Sequence, residues 1–105
     1  MQKIVEHENA RFVTETRLEL QADQPYLLQG RSNESAEDAI HKAMKRGQGY
    51  DIQAYKDLFQ FIILQLTHGP GFEDAPSQSH IKEILQDQFT AAPVKILQVR
   101  HQMNP

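Results

Sequence analysis

Five histidines, His7, His41, His68, His80 and His101, are the side chains of this chain best suited to hold a metal or carry a proton at neutral pH. None stands four residues from another, the spacing that sets two imidazoles on one helical face. Glu6 and Glu8 flank His7, but adjacent residues do not share a face. His68 falls in the last turn of a predicted helix, where partial positive charge is welcome. With no cysteine, thiolate zinc sites, cysteine nucleophiles and disulfides are excluded. Neither a metal nor a cofactor is expected. Glu73-Asp74 is the one acidic pair beside a suggestive turn, yet acid–base catalysis needs groups converging in a pocket. The pair reads as solvated loop charge. Ser32, Ser35, Ser77 and Ser79 each stand where a helix wants a cap, and no Gly-x-Ser-x-Gly elbow occurs. Gly47-Gln48-Gly49 is too short for a phosphate loop and reads as helix termination. No catalytic residue is expected, and no enzyme.

Lys42, Lys45 and Arg46 are the basic group that could touch phosphate, but lysine and arginine are ordinary residues at a helix C-terminus. Eleven Lys+Arg against fourteen Asp+Glu give a formal charge of -3, which disfavours a dedicated nucleic-acid binder. A length of 105 residues allows one domain, 1–105, with one modest core and little apolar surface left for a deep substrate cavity. A hydrophobic fraction of 39% with a charged fraction of 24% fits a soluble globular chain rather than a disordered one. The start, MQKIVEHENARF, lacks an apolar signal-peptide core, and no run of eighteen apolar residues follows. These features predict a cytoplasmic protein without a membrane partner.

The elements that must position such residues are helical. Residues 3–21 allow two readings. Val5, Phe12, Val13, Thr16 and Leu20 share a helical face that Leu18 leaves, whereas Phe12, Thr14, Thr16, Leu18 and Leu20 alternate as in a strand. Pro25 closes the segment, and Gly30, Ser32 and Asn33 mark a loop. A helix over 35–47 follows, with Ser35 as its cap, an alanine-rich stripe (Ala36, Ala39, Ala43) and Gly47 as its stop. Such small side chains predict a tight helix pair. The third helix, 52–68, has Asp51 as its cap and is apolar nearly all round. Tyr55, Leu58, Phe59, Ile62, Ile63 and Leu66 form one face, with Phe61 and Leu64 on the other. Gly69-Pro70-Gly71 is a structural turn that stops it. Helices over 78–88 and 91–100 complete the chain. Ser77 or Ser79 caps the first, with Ile81, Ile84, Leu85 and Phe89 as its apolar residues. Thr90 caps the second, with Val94 and Leu97 inward beside Ile96 or Val99. Met103-Asn104-Pro105 reads as a frayed end. The predicted fold is all-α, a bundle of four to five helices.

Glu34–Val99 carries a sequence of small motifs: the alanine helix Ala36–Gly47, Gly49-Tyr50-Asp51-Ile52, and the helix from Asp57 to Leu66. Then come Gly69-Pro70-Gly71-Phe72-Glu73, Ile84-Leu85-Gln86-Asp87 and Pro93-Val94-Lys95-Ile96. In order and spacing this stretch resembles small helical accessory proteins encoded beside bacterial type VI secretion spike and effector genes. Gly71 stands where that pattern has an acidic residue, and glutamine-rich surfaces replace arginine-rich ones. The resemblance implies a helical first segment and a bacterial adaptor or co-chaperone that helps an effector, or its dedicated adaptor, load onto the spike. It carries no catalytic residues.

The leading functional reading is therefore a non-enzymatic protein-binding module. Its candidate contact residues are Tyr26, Tyr50, Phe61 and Phe72, since aromatic side chains concentrate at interface centres, although for each of them the core is the ordinary destination. Phe72 either plugs the core beneath the turn, which is favoured, or projects toward a partner. The alternative reading is an immunity protein, because a small acidic domain suits a basic toxin site. A DNA-binding regulator ranks third. The partner expected is another protein rather than nucleic acid, and self-association stays open.

Overall fold

Leu18 decides the first segment. Phe12, Val13, Thr16 and Leu20 are buried while Leu18 faces solvent, which is helical spacing and not strand alternation. The computed structural model describes the backbone of residues 2–103 and the side chains of residues 9–103. The Val5 and His7 side chains, and the end Asn104-Pro105, lie outside the described residues. Five α-helices are present among them: α1 (Gln2–Asp23), α2 (Asn33–Gly49), α3 (Tyr55–His68), α4 (Ser79–Gln86) and α5 (Ala92–Met103). Three-residue and four-residue 3-10 turns occupy Pro25–Leu28, Phe72–Asp74 and Pro76–Gln78, and no strand is found among the described residues. Met103, expected to fray, is the last residue of α5 and is half-buried.

The chain is laid out as a slab of 36 × 33 × 21 Å, about two helix diameters thick. In it α2 packs on both α1 and α3, while α5 packs on α3 and α4. Arg17 on α1 donates to Glu37 on α2 at 2.6 Å, and Phe12 stacks on Tyr55 at 4.5 Å between centroids, tying α1 to both neighbours. The most buried positions of α3 are Leu58, Phe61, Ile62 and Gln65, an i, i+3, i+4, i+7 stripe. Phe61, placed by spacing on the side opposite Leu58 and Ile62, is thus beside them at the centre, while Tyr55 is exposed.

Caps differ from the expected ones, each for a local reason. Ser32 rather than Ser35 caps α2, its hydroxyl accepting from the Ser35 amide at 3.1 Å. Gly47 does not stop α2, which runs on to Gly49. Its value lies in close approach: a Cβ there would sit 2.9 Å from Leu58 Cδ2 and 3.0 Å from Phe61 Cδ2. The tight helix pair is therefore α2 on α3, at a glycine rather than at the alanines alone. Asp51 adopts φ 65° and ends the α2 connection instead of capping α3, whose N-cap is Ala54. No side chain caps α4, and the Thr90 hydroxyl donates to Asp87 instead of capping α5.

The largest shift concerns α5. Ile96 and Val99 face inward, while Val94 and Leu97 point outward. Lys95 fixes that rotation. It is buried, its ammonium donating to the Tyr50 carbonyl at 3.1 Å and the Leu85 carbonyl at 3.0 Å.

Phe72 lies buried under the turn after α3, its ring 5.3 Å from that of His68. Phe72→Ala is expected to lower stability by about 3 kcal/mol, the scale for deleting a buried phenylalanine. Chemical denaturation of the variant measures it, and an unchanged midpoint would place the ring outside the core.

Candidate functional site

The Gly69-Pro70-Gly71 turn brings together the densest polar cluster among the described residues. Gly69 and Gly71 take φ 103° and 70°, a region side chains resist. A Cβ on Gly71 would also come within 3.3 Å of the Arg46 guanidinium. The Gly71 amide donates to Gln65 Oε1 at 2.8 Å, which orients the other end of that amide group. Gln65 Nε2 then donates to Glu73 Oε1 at 2.9 Å. The second oxygen of Glu73 accepts from the Tyr50 hydroxyl at 2.7 Å and from Arg46 Nη1 at 3.0 Å. Asp74 completes the cluster, accepting from Arg46 at 2.9 Å and Lys82 at 2.6 Å.

Glu73 is fully buried, so the reading of Glu73-Asp74 as a solvated pair is wrong for its first member. The 3-10 turn over Phe72–Asp74 packs on α4 and turns the Glu73 carboxylate toward Arg46 of α2 and Gln65 of α3. Burial alone would raise its pKa, but hydrogen bonds from Gln65, Tyr50, its own backbone and Arg46 outweigh that and hold it below the usual carboxylate range. Burial and the Glu73 carboxylate push Tyr50 up to about 12. Hydrogen bonds to Asp74 and Glu73 raise Arg46 against the opposing effect of burial. Lys82 and Arg46 hold Asp74 low.

A general acid or base needs a free lone pair or proton aimed at a substrate space. Both oxygens of Glu73 are already engaged, and the protons of Tyr50 and Gln65 point at them. The arrangement fastens the end of α2 to the turn after α3. It is a clasp. Among the described residues no three His, Asp or Glu side chains gather as metal ligands, and no helix is long and apolar enough to cross a membrane.

No protein-family model, curated protein or solved structure matches the chain. The surface must therefore speak for itself.

Of the four aromatic candidates, Tyr26 alone is well exposed, at 66% on the Pro25–Leu28 turn. Tyr50 is half-buried with its hydroxyl committed to Glu73. Phe61 and Phe72 are buried, which corrects their assignment as contact residues: α2 covers Phe61, and the turn folds Phe72 inward. Besides Leu18, Tyr26 and Tyr55, the exposed large apolar side chains among the described residues lie on the α4–α5 unit. Phe89 is 100% exposed, Leu97 is 65% exposed, and Val94 joins them on α5. Ile84 and Leu97 line a shallow groove of about 590 Å³ with Gln98, His101 and Gln102. Asp87 accepts from the Phe89 amide at 2.9 Å and from the Thr90 hydroxyl at 2.6 Å, ordering the loop that carries the ring. Those same bonds lower the Asp87 pKa. The available signal was Phe89 itself, four residues past Leu85 but beyond the end of a helix that stops at Gln86.

Proposed function

We propose that this chain is a non-enzymatic protein-binding module whose partner docks on the α4–α5 face. The observation that carries the reading is Phe89, wholly exposed on a loop held by Asp87. A ring held out from an ordered loop offers a partner a preformed apolar contact, and a preformed loop loses little entropy on binding. Val94 and Leu97 add exposed apolar side chains on α5. The clasp at Glu73 supports the absence of catalysis, since its donors and acceptors satisfy one another. The resemblance to type VI secretion accessory proteins supports the finer role of adaptor or co-chaperone for an effector or its loading adaptor.

Phe89→Ser with Leu97→Asp is expected to leave the melting temperature unchanged, because both side chains are exposed. The same variant should lose, in a co-expression pull-down, an effector or effector adaptor that the wild type captures. Retention of that partner would overturn the docking face. Where the bound neighbour is a toxin, loss of secretion marks an adaptor and loss of protection marks an immunity protein.

A further inference from the structure

A second surface lies on α2 and the end of α3, distinct in its residues from the α4–α5 face. It is an open groove of about 730 Å³, inside the range of about 300–1,000 Å³ typical of binding clefts. Ala39, Ala43, Leu66 and Pro70 provide apolar lining. Arg31, Lys42, Lys45 and Arg46 also line it, against Asp38 as the one carboxylate. Lys42 pairs with Asp38 at 3.1 Å, and Arg46 is engaged by Glu73 and Asp74. Arg31 donates to a serine hydroxyl, and among the described residues neither it nor Lys45 forms a salt bridge. The chain as a whole carries -3, so this groove opposes the sign of the rest of the molecule.

We propose that the groove docks an acidic segment of a partner protein, one that carries apolar side chains among its carboxylates. The carboxylates meet Arg31 and Lys45, and the apolar side chains cover Ala39, Ala43, Leu66 and Pro70. Two features favour a peptide over nucleic acid. Phosphate backbones need cations in rows along a track, whereas here apolar atoms line the same cleft. The net negative charge of the chain would repel a long polyanion more than a short segment seated in the groove. The Glu73 clasp gives the site its rigidity, because Arg46 and Tyr50 line the groove while bonded to Glu73. The inference rests on the protein-binding reading but not on the α4–α5 face.

The test is fluorescence anisotropy with a labelled peptide of alternating glutamate and leucine. Two controls accompany it: the same peptide with every leucine replaced by serine, and a single-stranded oligonucleotide of equal charge. The first peptide should bind at low salt, weaken as salt is raised, and weaken about tenfold when leucine is replaced. Arg31→Glu with Lys45→Glu should weaken it by about tenfold or more. Both side chains are exposed, so thermal melts should match the wild type. The Phe89→Ser, Leu97→Asp variant should bind the peptide normally. Indifference to charge reversal, absence of binding, or equal binding of the serine peptide or the oligonucleotide would overturn the proposal. Any of these, with partner capture through Phe89 intact, leaves the protein-binding reading standing.

Discussion

Glu73→Ala is expected to destabilise the fold by about 4 kcal/mol, the scale for removing one partner from a buried, hydrogen-bonded charge pair. Arg46 is partly exposed and keeps Asp74, so it contributes the smaller share. The larger share comes from the Gln65 amide and the Tyr50 hydroxyl, both turned inward toward an acceptor that is gone. Glu73→Gln keeps the shape but presents an NH2 group to donors, so it should recover only part of the loss. The pH dependence has a definite sign. Glu73 is held below the ordinary carboxylate range, so its contribution is complete above about pH 4.3 and is lost as pH falls through its folded value. Tyr50 is pushed up to about 12. Its contribution is complete below the ordinary tyrosine value of about 10 and is lost as pH rises through the folded one. Urea denaturation across pH should show wild type losing stability at both ends. A Glu73→Gln variant whose acid limb matches wild type would remove Glu73 from this account.

The helices were legible because their signals are local. The stripe Ala36, Ala39, Ile40, Ala43, Met44 and the breaker Gly69-Pro70-Gly71 mark two of them from sequence alone, and all of the stripe but Ala39 is buried. The face each helix presents was less legible, because an apolar residue on an all-round apolar helix does not say which neighbour covers it. Phe61 became central because Gly47 lets α2 come within reach of it. Val94 and Leu97 turned outward because Lys95 turned in. Glu73 was the hardest to place. Its burial depends on Arg46 and Tyr50, more than twenty residues earlier, and on a glutamine whose type carries no signal by itself. The basic groove has the same origin. Lys42, Lys45 and Arg46 read as helix-end charges in sequence, and only packing adds Arg31, Leu66 and Pro70 beside them.

Lys95→Ala is expected to cost about 4 kcal/mol, combining lost packing of a buried stem with two lost charge-assisted hydrogen bonds. A lysine in the first turn of a helix lies at the unfavourable end of its own dipole. Lys95 is stabilised instead by the dipoles of two other helices. Tyr50 is the C-cap of α2 and Leu85 belongs to the last turn of α4, and both offer carbonyls to the same ammonium. One buried cation thereby closes two helix ends and fixes the rotation of α5 that exposes Leu97. Lys95→Met separates the contributions, because it keeps the stem and removes the charge. It should lose about half as much stability, leaving two buried carbonyls unpartnered. Under conditions where the Met variant stays folded, α5 is free to rotate, and capture of a partner through Phe89 and Leu97 should weaken. A Met variant as stable as wild type, with unaltered capture, would mean that apolar packing of Ile96 and Val99 alone sets the face that α5 presents.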